Sequence, residues 1–150
     1  MSSGEKESVK IRPLTRKDVF PVLTMLKKTG WRGALTERDL RDYALRGHRS
    51  LSFVAEVERQ VIGVLLGRFI HWGAPVTEMG AIQVLAVDPD SQRRHIGSKL
   101  VNAVFDRCLA EGVGTVRADI DERYWELKIF VENMGFRPSG LIEYRRNIEV

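Results

Sequence analysis

The chain has 150 residues, 43% of them hydrophobic, with 24 Lys+Arg against 20 Asp+Glu and a net charge of +4. That length suits one domain with a sizeable core, and the composition excludes a disordered chain. No apolar run approaches the ~20 residues that span a bilayer, so no membrane partner is expected. Cys108 is the only cysteine, which rules out a disulfide framework and a cysteine metal cluster. His48, His71 and His95 lack ligand spacing, so no metal is expected. No secretion signal is visible, and a reducing, cytoplasmic setting is the default.

Met1 to Ser8 reads as a loose tail, followed by a single domain over 9–150. Val9, Ile11 and Leu14 alternate with charged residues as in a short strand. Thr15 and Asp18 then look like a helix start, and Val19, Val22, Leu23 and Leu26 line one helical face that Gly30 ends. Trp31 to Ala34 form a turn. Thr36 and Asp39 open a second helix that Gly47 stops. Leu51–Val57 and Val61–Trp72 are strand patterns joined by a tight hairpin, and Met79–Val87 is the next strand.

The centre of the chain is the stretch after that strand. Asp88-Pro89-Asp90 stops the apolar run, and Gln92 to Ser98 makes a polar, basic turn. Ile96, Leu100, Val101, Val104 and Cys108 then recur at helical spacing to about Glu111. Loop amides at a helix N-terminus attract an anion, and Arg93 and Arg94 add charge. Thr115–Ile120 reads as a strand, completing a crossover that is most simply parallel and right-handed. Glu122 or Arg123 opens a last helix, with Trp125, Leu127, Ile129, Phe130 and Met134 as inward candidates and Gly135 as its cap. Leu141–Val150 carries a strand-like close.

This order resembles the GCN5-related N-acetyltransferase (GNAT) superfamily over roughly Val9–Ile148. Two motifs carry the resemblance. One is Val87, Pro89, Gln92, Gly97 and Leu100, from the pattern Val-x-Pro-x-x-Gln-x-x-Gly-x-Gly-x-x-Leu. The other is a helix ending in Phe130, Val131, Gly135 and Phe136. The resemblance implies an α/β (α+β) fold with a mixed, mostly antiparallel sheet of six to seven strands and about four helices. It implies acetyl-CoA as co-substrate and direct acetyl transfer to a primary amine: a protein N-terminus, a lysine or a small molecule. Homodimers are common in the family, but the sequence locates no interface.

The family's cofactor contacts carry over to Leu85, Ala86 and Val87 for the pantetheine arm. They carry over to Gln92, Arg93, Arg94, His95, Ile96, Gly97 and Ser98 for the pyrophosphate. His95 stands where the first glycine of the turn is expected, Tyr124 where many members have asparagine, and Val131 where a tyrosine often serves as acid. Asp119 is the first candidate for general base and Tyr124 the substitute acid, with Glu78 a weaker alternative base. A main-chain N–H at a bulge around Val84 or Leu85 is the family's usual oxyanion donor. Two other functions stand beside the enzyme. A CoA-binding regulatory module is motivated by Val131 and His95. A basic nucleic-acid-binding domain is disfavoured, because the basic residues do not interleave with aromatics as stacking platforms require.

Overall fold

Runs of β-branched and other apolar residues between Lys10 and Ala118 build one sheet. The computed structural model describes residues 8–31, 33–45 and 49–149, and the main chain alone at 92–94. The expectations at residues 1–7, Arg32, Gly47, His48 and Val150 lie outside the described residues. Strands β1 (Lys10–Pro13), β2 (Phe53–Val57), β3 (Gln60–Trp72), β4 (Thr77–Val87) and β5 (Val116–Ala118) lie in chain order. The first three pairings are antiparallel and β4–β5 is parallel.

The expected six to seven strands are thus five. Among the described residues, 134–149 carries no strand. Leu141, Ile142, Tyr144 and Ile148 of that stretch are all exposed.

Helices α1 (Val19–Lys28) and α2 (Glu37–Ala44) cover one face of the sheet. Val19, Val22, Met25 and Leu26 of α1 and Leu40 and Tyr43 of α2 pack with Val54, Val64, Leu66, Val84 and Ala86. Each fully buried aliphatic side chain here contributes about 1.5–3 kcal/mol. A 3-10 turn, Arg16–Asp18, precedes α1. Asp18 is only 3% exposed. It accepts hydrogen bonds from Thr15 N and from both terminal nitrogens of Arg12. Burial pushes its pKa up, but the Arg12 and Thr15 hydrogen bonds outweigh burial and hold the carboxyl below its usual range. The expected capping box at α2 is present, with Thr36 Oγ1 accepting from Asp39 N.

Helix α3 (Ile96–Ala110) lies on the opposite face. A Cβ added at Gly63 would sit 2.9 Å from Ile96 Cγ2, and one at Gly80 would sit 2.7 Å from Cys108 Sγ. Glycine at these two positions brings the helix close to the sheet. Burial pushes the Cys108 thiol up, with Glu78 adding to the effect, so it is a poor nucleophile.

The chain divides after Asp119 into two compact units. The second contains α4 (Trp125–Asn133), which starts later than expected. A turn ahead of it is capped by Asp121, which accepts from Arg123 N at 2.9 Å. The Arg123 guanidinium pulls the Asp121 carboxyl down to about 2. Val131 is buried, whereas the expected inward residues Trp125 and Ile129 are exposed. Gly135, at φ +95°, follows α4 as a left-handed stop.

Candidate active site

The β3–β4 ladder breaks once. Leu66 pairs with Val84 and Gly67 with Ile82, so Gln83 is an extra residue, a β-bulge. Gly67, opposite it, has lost its ordinary strand neighbour on the β2 side. The buried Ser52 hydroxyl replaces that neighbour: its oxygen accepts from Gly67 N and its hydroxyl donates to Gly67 O.

The bulge changes which main-chain groups face outward. Gly80 donates to Thr115 O, so Gly80 and Ile82 point toward β5. Asp88 donates to Ile62 O, so Asp88, Ala86 and Val84 point toward β3. The groups of Leu85 and Val87 therefore face the other edge, where no strand of the described residues pairs beyond Ile82. The expectation named Leu85, Ala86 and Val87 together; the main chain of Ala86 is engaged with β3. The bulge also lies at Gln83, just before the expected Val84 and Leu85.

The open edge runs into the polar turn. Asp88 caps a 3-10 turn over Pro89–Arg94 by accepting from Asp90 N at 3.0 Å. Its carboxylate, 4% exposed, also takes a 2.7 Å hydrogen bond from Lys28 Nζ at the end of α1. This bond to Lys28 is the main reason its pKa lies below the usual range. Gln92, Arg93 and Arg94 belong to the turn through their main chain; their side chains lie outside the described residues.

His95 connects this turn to α3 at φ +56° and ψ +33°, the left-handed region where glycine is favoured. The sequence motif places a glycine there, and the backbone keeps the glycine conformation with a histidine in it. Ile96 is buried, while Gly97 and Ser98 remain part-exposed in the first turn, which carries no acidic residue. Because a side chain in this conformation is strained, His95→Gly is expected to stabilise the protein. The gain is about 0.5 kcal/mol after the added chain entropy of glycine, read as a higher urea midpoint at unchanged slope.

Asp119 follows β5 and is 78% exposed at its side chain. It accepts from Arg117 Nε at 3.1 Å, and the Arg117 guanidinium stacks 4.4 Å from the Trp72 ring centroid. Tyr124 caps α4 in the second unit and is exposed, with Arg123 over its ring. Glu78 stands roughly 16 Å along β4 from the bulge. It is engaged by Arg49 at 2.9 Å and His71 at 3.3 Å. These pairs give it a structural role. Trp31 packs at the margin of the α1–α2 core. Sequence reasoning named Asp88 only as part of the stop after the strand, and missed Gln83, Ser52 and Lys28 as parts of this region. Gly63 and Gly67 within a strand pattern were the one signal of a bulge in the residues themselves.

Comparison with known proteins agrees with this geometry. The model of the Acetyltransferase (GNAT) family matches residues 20–136. A search of curated protein sequences finds no match. Among solved structures, the chain is similar to AAC(6')-Iy in complex with the bisubstrate analogue CoA-S-monomethyl-acetylneamine, with a TM-score of 0.80 at 16% identity, covering 94% of this chain and 99% of that one. It is similar to glucosamine-6-phosphate N-acetyltransferase from Arabidopsis thaliana, with a TM-score of 0.73 at 20% identity, covering 93% and 99%. It is also similar to ribosomal-protein-alanine N-acetyltransferase from Brucella melitensis biovar Abortus 2308, with a TM-score of 0.76 at 11% identity, covering 94% and 99%. These likenesses establish a shared fold, and the family match spans most of the chain: it belongs to the GNAT family of acetyltransferases.

Proposed function

We propose that this protein transfers an acetyl group from acetyl-CoA to a primary amine. One observation carries the reading: the open edge of β4, with Leu85 and Val87 directed outward, leads straight into the N-terminus of α3. The residues present fit CoA. The first turn of α3 has no carboxylate to repel a pyrophosphate, and the carboxylate of Asp88 just upstream is neutralised by Lys28. The amides of the turn from Arg93 to Ser98 would hold the pyrophosphate, with Gln92 opening the turn. The main chain of Leu85 and Val87 would flank the pantetheine arm, with Ala86 between them.

Acetyl-CoA, when bound, supplies a thioester carbon open to attack by a neutral amine. Asp119 is assigned as the group that takes the ammonium proton, directly or through water, at a carboxylate oxygen. Tyr124 is assigned as the proton donor to the departing sulfur through its hydroxyl. A main-chain N–H at the bulge is assigned to the carbonyl oxygen. The similar structures are named for different groups, an acetylneamine analogue joined to CoA, glucosamine-6-phosphate and a ribosomal-protein alanine, which supports an amine acceptor without selecting one. A CoA-binding regulatory module is the second reading, favoured by the buried Val131 where the family often has tyrosine.

Acetyl-CoA at about a hundred times its Kd is expected to stabilise the folded chain by about 2.7 kcal/mol and raise Tm by roughly 5–10 °C. An unchanged Tm at millimolar acetyl-CoA removes both CoA readings. Thiol release with a panel of amines then separates them: release supports the enzyme, and none across the panel supports the regulatory module. With an active amine, Asp119→Asn is expected to lower kcat at least a hundredfold. An unchanged kcat would remove Asp119 from the role.

A further inference from the structure

The residue that forms the bulge has an oriented side chain. Gln83 Oε1 receives two hydrogen bonds, one from the Tyr43 hydroxyl on α2 and one from Arg68 Nε on β3 at 2.9 Å. Arg68 Nε carries a hydrogen and can only donate, so the atom facing it is the amide oxygen. The carboxamide orientation is therefore fixed by chemistry. Arg68 is itself held, its guanidinium 4.6 Å from the Tyr43 ring centroid. Both donors being spent on the oxygen, the two N–H groups of Gln83 have no partner among the described residues, and the residue is exposed.

An oriented amide with two open donors is a recognition element. It sits at the residue where β4 parts from β5, on the sheet face shared with Tyr43 and Arg68. We infer that the Gln83 Nε2 donors bind a carbonyl or hydroxyl oxygen beside the amine of the acceptor, and that Tyr43 and Arg68 are positioning residues for this contact. The inference rests on the acetyl transfer proposed above. It makes the acceptor an oxygen-bearing amine, of the peptide or amino-alcohol kind, rather than a plain alkylamine. The competing account is that Gln83 merely ties α2 to the sheet.

Gln83→Glu separates the two accounts. A glutamate keeps an oxygen for both Tyr43 and Arg68, so a tie survives, but its outward atom changes from donor to acceptor. Gln83→Met removes the polar group altogether. Acetylation of alaninamide, 2-aminoethanol and butylamine is measured for each protein, with Tm in the presence of acetyl-CoA as a control. The expected wild-type result is about tenfold higher kcat/KM for one or both oxygen-bearing amines than for butylamine. Alaninamide and 2-aminoethanol distinguish a carbonyl from a hydroxyl. In both variants that preference is expected to disappear through a higher KM for the oxygen-bearing amines, with the acetyl-CoA shift retained. A wild type without the preference, or variants that keep it, overturns the inference while leaving acetyl transfer standing. A wild type with no acetyl-CoA shift overturns both.

Discussion

Gly67→Ala is expected to lower stability by about 3 kcal/mol or more, and with it Tm by roughly 10 °C. The cause is main chain, which cannot step aside as a side chain can. A methyl group at Gly67 would sit 2.9 Å from Ala81 O and 2.9 Å from Leu51 O. Both carbonyls belong to segments beside β3. Moving either one disturbs the two bonds between Gly67 and Ser52 or the register beside Gln83. The variant is therefore also expected to lose acetyl-CoA stabilisation under conditions where it remains folded. Circular dichroism melts with and without acetyl-CoA check both outcomes. Wild-type behaviour in both would show that the strands part without cost at this point.

Asp88→Ala is expected to have the next largest effect, about 2 kcal/mol. The carboxylate caps the 3-10 turn and neutralises Lys28, so its loss combines a cap with a charge-assisted hydrogen bond. Lys28 is half-exposed and regains water, which keeps the cost below that of a fully buried broken pair. The turn would lose its anchor to α1, and acetyl-CoA is expected to bind about tenfold more weakly.

The pH dependence has a definite sign. Asp88 titrates below its unfolded value. Its stabilisation is therefore complete above the unfolded carboxylate pKa, near 4, and fades as pH falls through the lower folded value. Asp88→Asn keeps an acceptor oxygen for the cap but removes this contribution. Its urea stability is expected to converge on wild type as pH falls below about 4. A constant gap down to pH 2 would show that the Lys28 pair does not carry the effect.

The parts of this molecule set by neighbours in sequence are legible in the sequence. Thr36 and Asp39 satisfy each other within one turn, so the capping box at α2 is read correctly. The turn into α3 is legible for the same reason, and the histidine at its glycine position adopts the left-handed backbone. The bulge is different. Met79–Val87 reads as a strand, and the resemblance places a bulge around Val84 or Leu85; that Gln83 forms it is not legible, because the break lies in the pairing with Leu66 and Gly67 of β3. Leu85, Ala86 and Val87 consequently look equivalent in sequence, and only the pairing distinguishes the middle one. Asp88 and Lys28 meet across 60 residues, beyond any local pattern. The strand-like close at 141–150 shows the reverse error: over its described residues, 141–149, the β-type side chains of Leu141, Ile142, Tyr144 and Ile148 are exposed and no strand forms.

The bulge gives β4 a counting rule. Upstream of Gln83 the strand keeps step with β5, and downstream it keeps step with β3 alone; the one extra residue is the hinge between two rhythms. Excision of Gln83 alone would put the two halves back in time: the pairs Gly67–Ile82 and Leu66–Val84 would follow without a break, and Leu85 and Val87 would still face outward. Keeping every residue in an unbroken ladder would instead give the outward main chain to Val84 and Ala86 and turn their side chains out of the α1–α2 layer. The extra residue thus lets one strand serve two partners whose rhythms differ by a single step.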